Sequence, residues 1–290
     1  MTKQRVIAMI CDGQYQNYLS NLLNSEHELV GIVLVKQANE TATLSSRFKR
    51  YKNPVNLLKW LSARFFLPYY ECKSERLLND YEPKLLAWGN SIADVPILQV
   101  DNVNRLDVED FVEQCSPNFI CVNGTNLIRE RLLRFFEDNA IKVLNLHTGL
   151  SPYSRGGNCN LFMLKEGKPE YVGGTIHWID RGIDSGDIIY SFRPDMGSQD
   201  PFEFLDGKVF IDGMKALSRA VTIISNDKVD SVKQWDEGKL FLLKTGYRYE
   251  LFDRFLVNVL ISRGLIRKYI DQRILRDSDI RLIGDKSDFS

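Results

Sequence analysis

Asn145 and His147 stand two positions apart in "VLNLH", an apolar run that breaks at once into "TGLSPYSRGG". In a strand, side chains two apart share a face, so both project together at the strand end. Histidine takes or gives a proton near neutral pH, and an Asn amide can donate to an oxyanion without becoming charged. A core strand gains nothing from two polar side chains there, whereas a site at the carboxyl end of a strand needs them. A lone strand histidine is still more often a packed residue than a functional one, so the remaining sequence must decide.

A carboxylate completes the chemistry. The stretch "HWIDRGIDSGDII" offers Asp180, Asp184 and Asp187. A loop between adjacent strands can set one of them beside the histidine, orienting the ring or steadying its charged form. Asp-x-Gly sequences also make turns unaided, and Asp187 is expected to be a turn residue of that kind.

The elements that must position these groups follow the pattern of a parallel α/β sheet. "RVIAMICDG" reads as a strand, "QYQNYLSNLLNSEH" as a helix and "ELVGIVLV" as a second strand, a βαβ opening. Ligands of such folds sit outside the carboxyl ends of the strands. Residues 37–94 are less regular and read as an insertion. Its basic and aromatic stretch, 45–70, reads either as a packing helix with a solvated basic face or as a surface for phosphate or a stacked base. The alternation returns with strands at "VPILQV", "PNFICVNG" and "IKVLNLH". Between them lie helices at "DVEDFVEQC", with Asp107 as N-cap, and "LIRERLLRFFED". "GGTIHWID" and "GDIIYSFRPDM" read as paired strands across "RGIDS". After Met196 the pattern turns helical. Asp200, Pro201 and Glu203 suggest a capped start, and the helix runs to about Ser225. A last helix carries the pairs Leu251/Phe252, Phe255/Leu256 and Val259/Leu260 on one face and ends at Gly264. The expected fold is therefore a Rossmann-like, doubly wound, mostly parallel α/β sheet over 1–196, with a smaller, largely helical extension over 197–290.

Composition narrows the function. Lys plus Arg and Asp plus Glu number 38 each in 290 residues, so no global field favours nucleic acid or an acidic membrane. Five scattered cysteines without a CxxC suit reduced thiols, and no run is long enough to span a bilayer. A cytoplasmic location is expected. No GxGxxG follows the first strand, and there is no GK[ST] and no paired His or Cys spacing for zinc, so hydride transfer, phosphoryl transfer and metal hydrolysis have little support.

The ordered combination is Asn-x-His, Ser-Pro-x-x-x-Gly-Gly, a strand with His177 and an Ile-Asp-Ser-Gly turn. It resembles the formyltransferases that use 10-formyltetrahydrofolate, closely over Leu144–Ile189 and by layout over about Arg5–Phe192. The resemblance implies a catalytic trio of Asn145, His147 and Asp184. It also implies a folate slot lined by main chain at Asn126, Leu127 and Ile128 and at Asp180 to Ile183, with His177 in a secondary substrate-side role and no metal. Leu127 and Ile128 equally suit an ordinary core. Members of the family often read Asn-x-His-Pro-Ser after the strand. Thr148 and Gly149 stand there instead, and Gly is frequent at that place in the branch that modifies nucleotide-linked amino sugars.

The helical extension shows few of the short alternating strands of a tRNA enzyme's β-barrel, and a tRNA substrate favours a stronger basic excess. The expected acceptor is therefore an amino sugar on a nucleotide diphosphate, such as a dTDP-sugar for surface polysaccharide or lipopolysaccharide O-antigen. Arg155, on the "SPYSRGG" loop, is expected to meet its phosphates, with an exposed loop position as the plain alternative. A homodimer is expected, with no nucleic-acid partner. A formyltetrahydrofolate deformylase, a formyltransferase for another amine such as tRNA or a peptide, and a catalytically silent binding module remain as alternatives.

Overall fold

The computed structural model describes residues 3–36, 54, 87–226, 229–242, 247–284 and 289. Apart from Pro54, the basic and aromatic stretch 45–70 lies outside them. Seven strands form one sheet: β1 (Arg5–Cys11), β2 (Glu28–Val35), β3 (Ile97–Val100), β4 (Phe119–Asn123), β5 (Lys142–His147), β7 (Gly174–Trp178) and β8 (Ile188–Phe192). Their order is β3-β2-β1-β4-β5-β7-β8. The first five run parallel, and β7 and β8 are antiparallel additions beside β5. The expected mostly parallel α/β sheet is thus the observed one.

Alternation explains why this sequence makes a two-faced sheet. Along β1, Val6, Ala8 and Ile10 join one buried cluster and Ile7 and Met9 the other. Helices cover both faces, so nearly every strand position is apolar. On one side lie α1 (Gln14–Glu26), α4 (Cys159–Lys165) and the 25-residue α5 (Phe202–Asn226). On the other lie α2 (Leu106–Cys115) and α3 (Glu130–Asp138). The strand order reverses at the β1/β4 pair, and β4 and β5 end together beside it, which is where open α/β sheets bind ligands.

Beyond the sheet, α6 (Tyr247–Ser262), α7 (Leu265–Asp271) and α8 (Arg273–Arg276) form the helical C-terminal part. Arg193, next after β8, ties it down. Its guanidinium donates to both carboxylate oxygens of Asp277, at 2.7 and 2.5 Å, and to the Tyr269 hydroxyl at 2.8 Å. A two-stranded ribbon pairs β6 (Ser154–Gly156) in parallel with β9 (Lys239–Phe241).

Three local expectations are corrected. The helix expected from Asp107 begins at Leu106 with Arg105 at the cap position, and Asp107 instead pairs with Arg105 at 2.7 Å. The Asp200–Glu203 box does not form. Asp200 accepts from Gly197 N and Lys208 Nζ, while Asn258 of α6 accepts from Phe202 N at 2.7 Å and donates to Glu203 at 2.9 Å. A tertiary contact therefore supplies the cap that local sequence was expected to give. Among the α6 residues whose burial is described, 252–262, the buried ones are Val257 and Ile261, an i, i+4 pair, and Phe255 stays exposed, while Leu251 of the expected pairs lies outside them. That helix ends at Ser262, and Gly264, at φ 93°, opens α7.

Candidate active site

β5 delivers Asn145 and His147 to its carboxyl end, and antiparallel pairing sets His177 of β7 directly opposite Asn145. The β7–β8 loop folds back over them and brings Asp184. Its Oδ2 lies 3.4 Å from His147 Nδ1, and its Oδ1 lies 3.7 Å from His177 Nε2 and 3.4 Å from Asn145 Nδ2. Oδ2 also accepts the Gly156 N–H at 2.9 Å, which links the Asp184 loop to the "SPYSRGG" segment. The structure thus gathers Asn145, His147, Asp184 and His177 into one cluster.

The tautomers follow from the partners. His177 Nδ1 lies 2.7 Å from the Trp178 carbonyl, so it carries the proton, and Nε2 accepts from Asn145 Nδ2 at 2.9 Å. His147 Nε2 lies 3.1 Å from the Ser154 carbonyl and donates to it. Its Nδ1 is left as the open base, facing Asp184.

His147 is only 5% exposed. Burial pushes its pKa down, against the upward pull of Asp184, and the nearby His177 lowers it further, so the ring is neutral at physiological pH. Burial pushes the Asp184 carboxyl up, but His147, His177 and the Gly156 N–H outweigh that and hold it well below the usual carboxylate range. A neutral base beside a fixed anion accepts a proton readily, because the imidazolium forms against a charge already in place.

Backbone conformation supports the cluster. Asp184 sits at φ 48°, the left-handed region that costs a non-glycine residue and marks places where surrounding contacts impose the geometry. Gly149 is required for space: a Cβ there would lie 2.3 Å from His147 Nε2 and 2.8 Å from Cys159 Cβ. Cys159 Sγ itself is 3.6 Å from His147 Nε2, and burial pushes its thiol up to about 12, so it packs the ring as a neutral group.

Sequence reasoning missed several supports. Asn123, ending β4, donates to the Leu146 carbonyl at 3.0 Å and accepts from Gln16 Nε2 at 2.8 Å, which fixes the backbone between Asn145 and His147. Thr175 Oγ1 donates to the Gly149 carbonyl at 2.8 Å and accepts from Ser151 N at 2.9 Å. Asn123 carried the same signal as Asn145, an amide closing an apolar strand.

The residues expected around a folate ring lie on two adjacent segments. Arg181 pairs with Glu130 at 3.0 Å, joining the Asp184 loop to the start of α3, and Ile179 packs on the cluster that contains Ile128. Asn126 and Leu127 are exposed, Leu127 by 50%, and Ile183 is 37% exposed. Ile128 is buried in the core, so only its main chain can face a ligand. The Asp180 carboxylate is taken up by Gly182 N at 3.0 Å and Ser185 Oγ at 2.8 Å, which shapes the loop. Arg155 is a half-buried member of β6, not an exposed loop residue, and its Nε has no hydrogen-bond partner among the described residues.

The fold is that of a doubly wound α/β protein with a cluster of Asn145, His147 and Asp184 at the carboxyl edge of its sheet. The chain belongs to the formyl transferase family, whose sequence profile matches residues 5–221. The methionyl-tRNA formyltransferase of Finegoldia magna is 25% identical over 148 residues, covering 51% of this chain and 46% of that protein. That of Bacillus velezensis is 27% identical over 145 residues, covering 50% and 44%. The chain spans about half the length of the curated relatives it matches. Among solved structures, an uncharacterized Mycobacterium tuberculosis protein described as a "likely sugar N-formyltransferase" is similar at TM-score 0.52 and 17% identity, covering 88% of this chain and 86% of that one. The phosphoribosylglycinamide formyltransferase of Anaplasma phagocytophilum reaches TM-score 0.51 at 17% identity, covering 84% and 99%. At these identities the structural likeness is one of fold. No helix among the described residues is long and apolar enough to cross a membrane.

Proposed function

We propose that the chain is an N-formyltransferase that moves a formyl group from 10-formyltetrahydrofolate to the primary amine of a nucleotide-linked amino sugar. The observation that carries this is a neutral, buried His147 with Nδ1 turned to an ionised Asp184, beside the Asn145 amide, in a member of the formyl transferase family. The donor supplies an activated formyl carbon.

The chain's own groups do the rest. Asn145 turns the N–H that makes only a long, 3.4 Å contact with Asp184 to the formyl oxygen as negative charge develops on it, and His147 Nδ1 takes the proton the amine must lose. Asp184 steadies the imidazolium at 3.4 Å. The amine nitrogen gains the formyl carbon, the bond from that carbon to the folate nitrogen breaks, and the proton held by His147 passes to that nitrogen. No covalent enzyme intermediate is needed, since the amine is the nucleophile.

Exposed apolar side chains at Leu127 and Ile183, on segments joined by Arg181–Glu130, suit a flat heteroaromatic ring. The acceptor class rests on three features. Residues 247–276 are almost wholly helical where a tRNA enzyme would carry a β-barrel, the formal charge is balanced, and Thr148 and Gly149 stand where purine and tRNA members carry Pro-Ser. Arg155, with an unused buried Nε, is suited to the diphosphate.

The test is a mass-spectrometric assay of the protein with 10-formyltetrahydrofolate and a panel of nucleotide-linked amino sugars, including dTDP-linked ones. A formyl mass gain on one sugar, abolished in His147→Ala and Asn145→Ala, is expected. Release of formate with no sugar gaining mass would replace the transferase by a deformylase, and a gain on tRNA or a peptide would move the acceptor class.

A further inference from the structure

We infer that Gln234 is a positioning residue for the reacting site: its carboxamide holds the turn that places Asp184 against His147. The inference rests on the reading of the Asn145–His147–Asp184 cluster as the site of formyl transfer, and it concerns a segment beyond the residues the family profile matches.

The Asp184 turn is not self-sufficient. Asp184 is a non-glycine residue at φ 48°, and a turn in that region relaxes unless its backbone groups are held. Two of its carbonyls, those of Asp184 and Gly186, accept from one donor, Gln234 Nε2, at 2.8 and 2.9 Å. These bonds also settle the amide's orientation, because the opposite flip would point Oε1 at two carbonyl oxygens. The arrangement leaves Gln234 Oε1 buried without a partner among the described residues. A side chain placed only to satisfy itself would not do so.

Gln234 reaches the turn because residues 232–241 form a strap across both loops of the site. Val232 makes reciprocal backbone hydrogen bonds with Ile188 of β8, each 2.8 Å. Gly238, at φ 60°, passes so close to the chain that a Cβ would lie 1.6 Å from the Pro152 carbonyl oxygen. Lys239–Phe241 then pair with Ser154–Gly156, whose last residue donates to Asp184 Oδ2. The strap is thus anchored on one side of the Asp184 turn and on the strand that feeds its carboxylate, with Gln234 between the anchors. An amide here, unlike an apolar residue of the same size, fixes the turn by two directed bonds, and the carboxylate's placement at His147 follows from the turn.

The groups that face His147 are Asp184 from the β7–β8 loop, His177 from β7, Cys159 from α4 and the Ser154 carbonyl from β6. Of these, Asp184 is the one Gln234 acts through. Its effect is therefore separable from a general loss of stability by a double-mutant cycle.

The experiment records the ¹⁵N imidazole resonances of the intact chain at fixed neutral pH, together with turnover. The chain has three histidines, so assignment by single substitution is direct. The variants are Gln234→Leu, Gln234→Glu, Asp184→Asn and the double variant Gln234→Leu/Asp184→Asn. The His147 Nδ1 resonance is expected to move in Gln234→Leu in the direction it moves in Asp184→Asn, while the double variant coincides with Asp184→Asn alone. Turnover is expected to fall about tenfold in Gln234→Leu and no further when Asp184→Asn already removes the charge. Gln234→Glu, whose ionised carboxylate donates nothing, reproduces the Leu result and serves if the Leu variant fails to fold. A folded Gln234 variant whose His147 Nδ1 stays at its wild-type position, or whose effect adds in full to that of Asp184→Asn, overturns the inference. If no formyl transfer exists to measure, the resonances still decide the role of Gln234, so failure of the reaction and failure of the positioning are told apart.

Discussion

Replacing Asp184 with Asn removes one charge and little else. The amide is nearly isosteric, and its oxygen can still accept the Gly156 N–H that holds the carboxylate at 2.9 Å. What is lost is the attraction between Asp184 and a protonated His147, together with the long, 3.4 Å contact by which Oδ1 accepts from Asn145 Nδ2. At 3.4 Å, with an effective dielectric constant of about 20, a full pair of unit charges interacts by about 5 kcal/mol. A transition state in which the proton is about half transferred feels about half of that, roughly 2.5 kcal/mol, which corresponds to about a 70-fold loss in kcat. The pH profile adds a sign. Asp184 raises the His147 pKa against its burial, so without the charge the acid-side inflection of kcat moves to lower pH while the plateau falls. The assay is steady-state formyl transfer at saturating donor and acceptor across pH. A kcat within about threefold of wild type, with an unmoved acid limb, would refute the claim that Asp184 steadies the imidazolium.

The remaining predictions concern packing, acid stability and docking of the C-terminal helices. Gly149→Ala puts a methyl 2.3 Å from His147 Nε2, so it should cost about 2 kcal/mol in a denaturant melt and lower kcat more than tenfold, whereas Gly167→Ala, where no atom lies within 4 Å of the added Cβ, should leave kcat unchanged. Burial depresses the pKa of His147 and of His27 in the folded chain, so the unfolded chain binds the extra protons, and stability should decline as pH falls below about 6.5. The depressed Asp184 carboxyl adds a second loss below about pH 4, and both phases should appear in urea midpoints against pH, the second vanishing in Asp184→Asn. Arg193→Met strips Asp277 of its bidentate partner and should destabilise by about 2 kcal/mol, with earlier proteolysis within 265–284 than in the wild-type chain.

The sheet was legible because its strands are short apolar runs bounded by turns, and the alternation of Val6, Ala8 and Ile10 against Ile7 and Met9 is a direct consequence of burying both faces. Asn145 and His147 were legible for a different reason, since two polar residues at a strand end have no use in a core, whereas the loop offered Asp180, Asp184 and Asp187 and it was the family resemblance that singled out Asp184. What was hidden depends on contacts distant in sequence. The cap of α5 comes from Asn258, 56 positions after the Phe202 N–H it accepts, so no local pattern announces it. Gln234 is an ordinary amide in a polar stretch until the fold sets it 2.8 Å from a carbonyl 50 residues earlier. Asp107 and Asp200 had the composition of caps but found arginine and lysine partners instead, because a charge-assisted bond to a cation is stronger than one to a helix N–H.

The most direct test of the account follows the carbon itself. With 10-formyltetrahydrofolate labelled at the formyl carbon, ¹³C NMR of a reaction containing the protein and a dTDP-linked amino sugar should show the label arriving as a formamide on the sugar nitrogen, and no such signal with His147→Ala. Label appearing only as free formate, or a formamide signal that persists undiminished in His147→Ala, would contradict the claim that this cluster moves a formyl group to a sugar amine.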